Sequence, residues 1–372
     1  MKFICDKAAL SEAVTSVSPA VSQKSTVLAL ECILLRCKGS VLSVIGYNLE
    51  LGITKDLQIE GQEDGEIILN SRLFSEIIRQ MPNGELSFAT DEKLMTVIQS
   101  GGAKFTILGM NADEYPELPI IDQESSFSIN GKTLRSMISE TLFAISQEST
   151  TPVLTGALFE GKGGVLHLVS VDGKRLALRR EPIDFAEDFR FVVPGRTLNE
   201  LLKLIGRLAS GDDDLVQLNV GSRHIIFECG GYQLISRLLE GEFINYNSAI
   251  PSDGKLRVRV NVRAFSDVVS RASIIINEKV KNPIRAVFGD GQIQVSCETS
   301  LGKVSDSIPA DVTGDGLQIG FNNRFMLDAL KASVSDEVIL EMSTPLSPIK
   351  VLPLEGEHFV FLVMPMRLKD DH

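Results

Sequence analysis

The chain has 372 residues, 44% of them hydrophobic and 23% charged, with no Trp and a formal net charge of −12. That length exceeds one ordinary core and predicts two or three domains, while the composition excludes a disordered or fibrous protein. The acidic balance excludes a protein that holds nucleic acid by bulk electrostatic attraction, because such domains are usually basic, so any DNA contact must be local or topological.

Met1 to Asp6 enters a strand pattern directly, without the apolar stretch and cleavage site of a secretory signal. No run approaches the roughly 18 apolar residues that a membrane span needs. Leu10, Val14 and Val17, spaced by four and three, share one face of a first helix. Cys32 and Cys37 read as buried strand and turn residues. With Cys5, Cys229 and Cys297 they make an odd, scattered set that predicts free thiols in a reducing cytoplasm. The alternation in Val41 to Ile45 predicts a half-buried antiparallel strand. In a second helix, Leu73, Phe74, Ile77, Ile78 and Met81 form the apolar face, and Arg72 and Arg79 lie almost opposite. Tyr115-Pro116-Glu117-Leu118-Pro119, running into polar Asp122 to Ser126, reads as a linker.

The chain then repeats itself. An offset of 124 residues pairs Phe3 with Phe127, the turn at Lys38 to Leu42 with that at Lys162 to Leu166, and Asn70 with Pro194. In this second copy Gly156 to Gly163 imitates a phosphate-binding loop, but it lacks the closing Ser or Thr and leads into a strand, which predicts a hairpin turn. Val165 to Val169 alternates like its counterpart. The second helix presents Leu198, Leu201, Leu202 and Ile205 on one side and Arg196, Lys203 and Arg207 on the other. Asp212-Asp213-Asp214 fits a solvated loop better than a magnesium site.

Ile250-Pro251-Ser252-Asp253-Gly254 is the next linker, and a third copy starts near Val258. An offset of 131 residues pairs Val260-Asn261 with Ile129-Asn130 and Pro283 with Pro152. Gly314-Asp315-Gly316 precedes the strand pattern at Leu317 and so reads as a turn, not a dinucleotide fingerprint. The last helix sets Met326, Ala329 and Leu330 against Arg324 and Lys331. The predicted fold is α+β: three similar domains at residues 1–121, 122–252 and 253–372, each with two helices against mainly antiparallel sheet.

Any one of these basic helix faces is also what an ordinary solvated helix shows. Their recurrence in an acidic chain points further. If the six helices point the same way, they create a concave positive surface suited to phosphates, with no base-reading chemistry. The four histidines, at 167, 224, 358 and 372, are not spaced with Cys or Glu as a zinc site would be. There is no recognisable pairing of nucleophile and base. The expectation is therefore no catalytic residue, no metal and no cofactor. Two other classes stay open: an enzyme of duplicated α+β domains with a dispersed active site, and a repeat-built scaffold that does not touch DNA.

Val363-Met364-Pro365-Met366-Arg367-Leu368 is similar to the carboxyl end of bacterial DNA sliding clamps, the beta subunit family of DNA polymerase III. Val171-Asp172-Gly173-Lys174-Arg175-Leu176-Ala177 resembles that family's Asp-Gly-His/Lys-Arg-Leu-Ala turn. Asn277-Glu278-Lys279 and Ile319-Gly320-Phe321-Asn322 resemble its third-domain signatures, and the resemblance spans the full length.

The resemblance implies a non-catalytic processivity factor that forms a head-to-tail dimeric ring around double-stranded DNA. It implies a peptide pocket comprising Leu154, Gly173, Arg175, Leu176, Ala249, Phe325, Leu346, Pro348, Leu362, Met364, Pro365, Met366 and Arg367. It places Phe105 and Ile107 opposite Ile274 and Ile275 of a second subunit, and adds Lys24 to the DNA-facing cations. Implied partners are the polymerase III catalytic subunit, an ATP-driven clamp loader, other polymerases, and mismatch-repair or ligase proteins, all in the bacterial cytoplasm at the nucleoid. The sequence departs from the family pattern at Val27 to Ala29, at Asn48 where Asp is common, at Thr151, near a position that is often basic, at Ile244 where Pro is frequent, and in the added tail Lys369 to His372.

Overall fold

A computed structural model describes residues 1–122, 125–147, 150–208, 214–277 and 282–368. The first repeat runs β1 (Lys2–Asp6), α1 (Lys7–Val17), β2 (Cys32–Lys38), β3 (Val41–Tyr47), β4 (Leu51–Gln58), β5 (Glu60–Glu63), β6 (Gly65–Asn70), α2 (Ser71–Gln80), β7 (Glu85–Thr90), β8 (Met95–Ser100) and β9 (Ala103–Leu108). The second runs β10 (Ser125–Asn130), α3 (Gly131–Thr141), β11 (Gly156–Lys162), β12 (Val165–Val171), β13 (Arg175–Pro182), β14 (Phe189–Pro194), α4 (Gly195–Leu208), β15 (Leu215–Val220), β16 (His224–Cys229) and β17 (Tyr232–Arg237). The third runs β18 (Leu256–Asn261), α5 (Val262–Ser273), β19 (Ile284–Gly289), β20 (Gln292–Thr299), β21 (Gly302–Pro309), β22 (Asp311–Thr313), β23 (Leu317–Phe321), α6 (Asn323–Ala332), β24 (Glu337–Met342), β25 (Ile349–Leu352), β26 (Phe359–Val363) and β27 (Pro365–Met366). The predicted α+β repeat is thus present three times as strand, helix, strands, helix, strands. Every strand pair described is antiparallel.

The helix starts follow from local chemistry. Asp6, Asn70, Asn261 and Asn322 each accept a hydrogen bond from the backbone N–H three residues on, at 2.9 to 3.1 Å, and Asn130 accepts from Lys132 at 2.9 Å and Thr133 at 3.2 Å. Such caps satisfy donors that a helix end leaves open, each contributing about 1 kcal/mol. At the equivalent place before α4 stands Pro194.

The chain divides into two compact units. The first comprises Met1–Leu134 and Asn199–Leu238. It holds a five-stranded sheet, β5-β1-β7-β8-β9, and an eight-stranded sheet, β10-β15-β16-β17-β4-β3-β2-β6. The larger sheet joins two repeats by pairing β17 with β4, Leu234 opposite Ile53. Phe3 stacks on Phe88 at 4.7 Å and Phe74 of α2 meets Phe88 edge-on, all three fully buried. Full burial of a side chain of this size contributes roughly 1.5–3 kcal/mol.

The linker expected at Tyr115 to Pro119 is more than a connector. Tyr115 is buried among Ala29, Leu34, Ile45 and Ile68 with Leu118 beside it, and its hydroxyl donates to the Ile45 carbonyl at 3.4 Å. The polar stretch after it ends where β10 begins, at Ser125.

The second unit comprises Arg135–Leu198 and Leu239–His372. Its nine-stranded sheet runs β14-β11-β12-β13-β26-β25-β24-β18-β22, and its five-stranded sheet runs β21-β20-β19-β23-β27. Here repeats join through β13 and β26, with Leu176 opposite Leu362. The C-terminal strands link the two sheets: β26 leaves the larger one at Val363, and β27 pairs with β23 in the smaller one. The stretch Gly156 to Gly163, expected as a hairpin turn, is instead strand as far as Lys162, paired with β12 and β14 on its two edges; the turn is confined to Gly163 and Gly164, with φ of 59° and 78°. Gly314 to Gly316 is the turn before β23. No helix among the described residues is long and apolar enough to cross a membrane.

Candidate functional site

Within the second unit, one face of the nine-stranded sheet carries an apolar cluster. Leu176 and Leu362, directly opposed on β13 and β26, form its floor together with Val360, Val171, Phe243 and Tyr246. Leu154, Ile250 and Leu352 pack against it, half-buried. Ala249 ends a short 3-10 turn, Tyr246–Ala249, and is exposed, as is Leu346 on the loop before β25. Pro348 and Pro365 are half-buried. Met364 lies at the break between β26 and β27, 40% exposed, with its N–H on the Lys174 carbonyl at 2.9 Å. Met366 is half-buried and Arg367 exposed.

The polar member of this group is Arg175. Asp172 accepts from the Lys174 and Arg175 backbones at 2.9 and 3.0 Å, folding a turn in which Gly173 takes φ 82°. The same carboxylate meets Arg175 Nε at 2.9 Å, and Asp328 of α6 takes Nη1 at 2.5 Å. The guanidinium also stacks against Phe325 at 4.6 Å and Phe143 at 5.6 Å. Arg175 is therefore a committed, nearly buried wall and not a free cation. The sequence reading missed Asp328 and Phe143, whose only signal is a tertiary one.

Next to the floor, Tyr246 turns its hydroxyl into a polar cavity of about 510 Å³ and donates to Glu160 at 2.5 Å. Burial, reinforced by that carboxylate, pushes the Tyr246 phenol up. His167 lines the same cavity, and burial, then Arg180, lowers its pKa. The Cys5 thiol is pushed up to about 12 by burial and Asp6, and all five cysteines are buried and free.

The second helices are placed as expected, with one exception. Phe74, Ile77, Ile78 and Met81 are buried, but Leu73 is 49% exposed, because it sits at the flank of a narrow stripe in the first turn. Leu198, Leu201 and Ile205 are buried and Leu202 half-buried on α4; Met326, Ala329 and Leu330 are buried on α6. Arg72, Arg79, Arg196, Lys203, Arg207, Arg324 and Lys331 are all exposed, as is Lys24. Several have partners: Arg79 pairs with Glu76, Lys203 with Glu200 at 2.8 Å, and Arg207 donates to Ser16 at 3.1 Å. Beside α2, a cleft of about 840 Å³ is lined by Arg72, Arg79, Ser18, Ser75 and Gln23.

Phe105 and Ile107 stand on β9, the open edge of the first unit's smaller sheet, with Phe105 39% exposed. Ile274 and Ile275 follow α5 directly, and Ile274 is 79% exposed. The helix packs on β21, the open edge of the second unit's smaller sheet, with Arg271 bonded to Asp306 at 2.7 Å. Asn48 forms the same kind of turn as Asp172, accepting from Glu50 and Leu51 at 3.1 and 2.9 Å, with Leu49 at φ 75°. Asp212, Asp213, Glu278, Lys279 and the tail Lys369 to His372 lie outside the described residues. No group of His, Cys, Asp and Glu among the described residues could hold a metal ion.

Comparison with known proteins gives three family profiles in succession: the DNA polymerase III beta subunit N-terminal domain over residues 1–119, its central domain over 128–245 and its C-terminal domain over 247–367. The chain is 31% identical to the beta sliding clamp of Bacillus subtilis over 380 residues, covering 99% of this chain and all of the relative. It is 31% identical to that of Synechocystis over 391 residues, with the same coverage. The crystal structure of the Bacillus subtilis DNA polymerase sliding clamp superposes with a TM-score of 0.94 at 30% identity, over 99% of this chain and 100% of that one.

Proposed function

This chain belongs to the DNA polymerase III beta subunit family, the bacterial sliding clamps, and from that premise we propose that it encircles duplex DNA as a processivity factor. The observation that carries the reading is the succession of all three family domains along the chain, each with a second helix bearing exposed cations. We place the domain limits at residues 1–121, 122–252 and 253–372.

Two copies join head to tail. The open edge at β9, with Phe105 and Ile107, meets the partner's β21 edge beside Ile274 and Ile275, so each unpaired strand finds hydrogen bonds across the subunit boundary. Lys24, Arg72, Arg79, Arg196, Lys203, Arg207, Arg324 and Lys331 line the hole. Their phosphate contacts hold any sequence, and linkage, not affinity, keeps the ring in place.

The apolar group around Leu176, Leu362, Met364 and Met366 is the partner groove. Leu154, Pro348, Pro365 and Phe325 complete its walls, and Gly173, Arg175, Ala249, Leu346 and Arg367 its rim. A concave apolar surface with few polar groups suits short Leu- and Phe-bearing peptides, and methionine adapts to several of them. Its users are the polymerase III catalytic subunit, the clamp loader, other polymerases, and mismatch-repair or ligase proteins, in the cytoplasm at the nucleoid. The protein itself carries out no chemistry and needs no cofactor; ATP acts on the loader.

Negative-stain electron microscopy of the purified protein tests the architecture. Six-lobed rings with a central hole are expected. Compact monomers without a hole, persisting at high concentration, would sink the reading and bring an enzyme of duplicated domains forward.

A further inference from the structure

The floor of the groove does not end at Leu362. Cross-strand partners in antiparallel sheet project to the same face. The register places Leu176, Leu362, Lys350, Glu341 and Arg257 in one continuous row over β13, β26, β25, β24 and β18. Two leucines are thus followed directly by a lysine and a glutamate. Lys350 is only 7% exposed, and its ammonium pairs with the Glu341 carboxylate, which Arg257 approaches at 3.6 Å from the outer side.

A roof of backbone covers this pair. Lys350 Nζ donates to the Pro251 carbonyl at 2.9 Å. Gly254 lies so close to the Glu341 side chain that a β-carbon there would overlap it. Ser343 Oγ donates to the Asp253 carbonyl at 2.8 Å, and the Lys255 N–H to the Met342 carbonyl at 3.0 Å. The segment from Pro251 to Lys255 is therefore stitched onto β24 and β25. Immediately before it come Ala249 and Ile250, and the loop that enters β25 just ahead of Ile349 and Lys350 carries Leu346 and Pro348: two stretches of the groove rim.

We infer that Lys350 is a positioning residue for the partner groove: its buried ammonium joins the Pro251 carbonyl to the floor row and so fixes the separation of the two rim segments. The inference rests on the groove reading above. A buried ion pair is a weak source of net stability, since desolvation offsets most of its attraction, but one partner left alone is strongly unfavourable. That asymmetry separates a positioning role from a merely structural one.

The test uses the full-length protein and a fluorescein-labelled synthetic peptide carrying adjacent Leu and Phe, with affinity read by anisotropy and stability by thermal melting. Lys350→Met should lower the melting temperature and weaken the peptide about tenfold, equivalent to about 1.4 kcal/mol of binding free energy. Lys350→Met combined with Glu341→Gln removes the stranded carboxylate, so the melting temperature should return while the affinity stays low. If that double variant binds as tightly as the wild type, Lys350 positions nothing and the groove reading stands. If the wild-type protein ignores the peptide, or Met364→Asp leaves its binding unchanged, the groove reading itself falls and this inference falls with it.

Discussion

Arg175 shows what a single residue must satisfy before it can serve a site. Its charge is met by Asp172 at 2.9 Å and Asp328 at 2.5 Å, and its flat faces by Phe325 and Phe143. A side chain so held presents fixed edges to a ligand and no free positive charge, which favours apolar peptide side chains over acidic ones. Arg175→Met keeps the length but leaves Asp172, with its side chain 14% exposed, beside an apolar neighbour. The variant should lose about 3 kcal/mol of stability, as broken buried pairs do, measured by urea unfolding. A loss under about 1 kcal/mol, the range of exposed pairs, would mean that this network is solvated. The Asp172 turn was expected from the family resemblance of Val171 to Ala177 alone, and its hydrogen bonds prove to be local. Asp328 lies 153 residues from Arg175, and no period or motif announces a partner at that distance; Lys350 and Glu341 are close in sequence but escaped notice because their pairing depends on the register between β24 and β25.

At the scale of elements, the helix periods carried most of the information. A 3.6-residue repeat separates a buried stripe from a solvated face wherever the stripe is wide, and the exposed cations of α2, α4 and α6 all fell where the spacing put them. It failed at Leu73, on the stripe's edge, where burial depends on how far the neighbouring element reaches. The same spacing would have shown the carboxylates Glu76 and Glu200, each three residues from a cation and paired with it. Arg72 and Arg324 are exposed cations of α2 and α6, and with Arg196 of α4 they mark the equivalent position in all three repeats. The triple variant Arg72→Glu, Arg196→Glu, Arg324→Glu should lose no more than about 1.5 kcal/mol of stability and stay folded, since exposed substitutions usually shift stability by no more than about 0.5 kcal/mol each. The amount placed on nicked circular DNA by the clamp loader, followed by gel filtration, should fall, because the duplex must be drawn past these charges as the ring closes on it. Unchanged loading would mean that these cations do not face DNA.

At the scale of the whole molecule, the threefold repeat was readable from two offsets, because equivalent strands and helices keep equivalent lengths. The joining of repeats was not. The pairings of β17 with β4 and of β13 with β26 unite strands far apart in sequence, and an alternating pattern fixes which face a strand buries without saying which edge it joins. Those pairings extend each larger sheet across two repeats, leaving open edges such as β9 and β21 on the smaller sheets. A chain of net charge −12 repels DNA overall, so retention by linkage and retention by charge make opposite forecasts. Screening shortens electrostatic reach to about 3 Å at 1 M salt, which dissolves contacts between solvated charges and leaves a closed ring untouched. Once placed on nicked circular DNA by a clamp loader and ATP, the protein should stay through a wash at about 1 M salt and slide off when a nuclease linearises the circle. Equal loss from circular and linear DNA in that wash would mean that charge alone holds it, and a ring would no longer explain how an acidic protein stays on DNA.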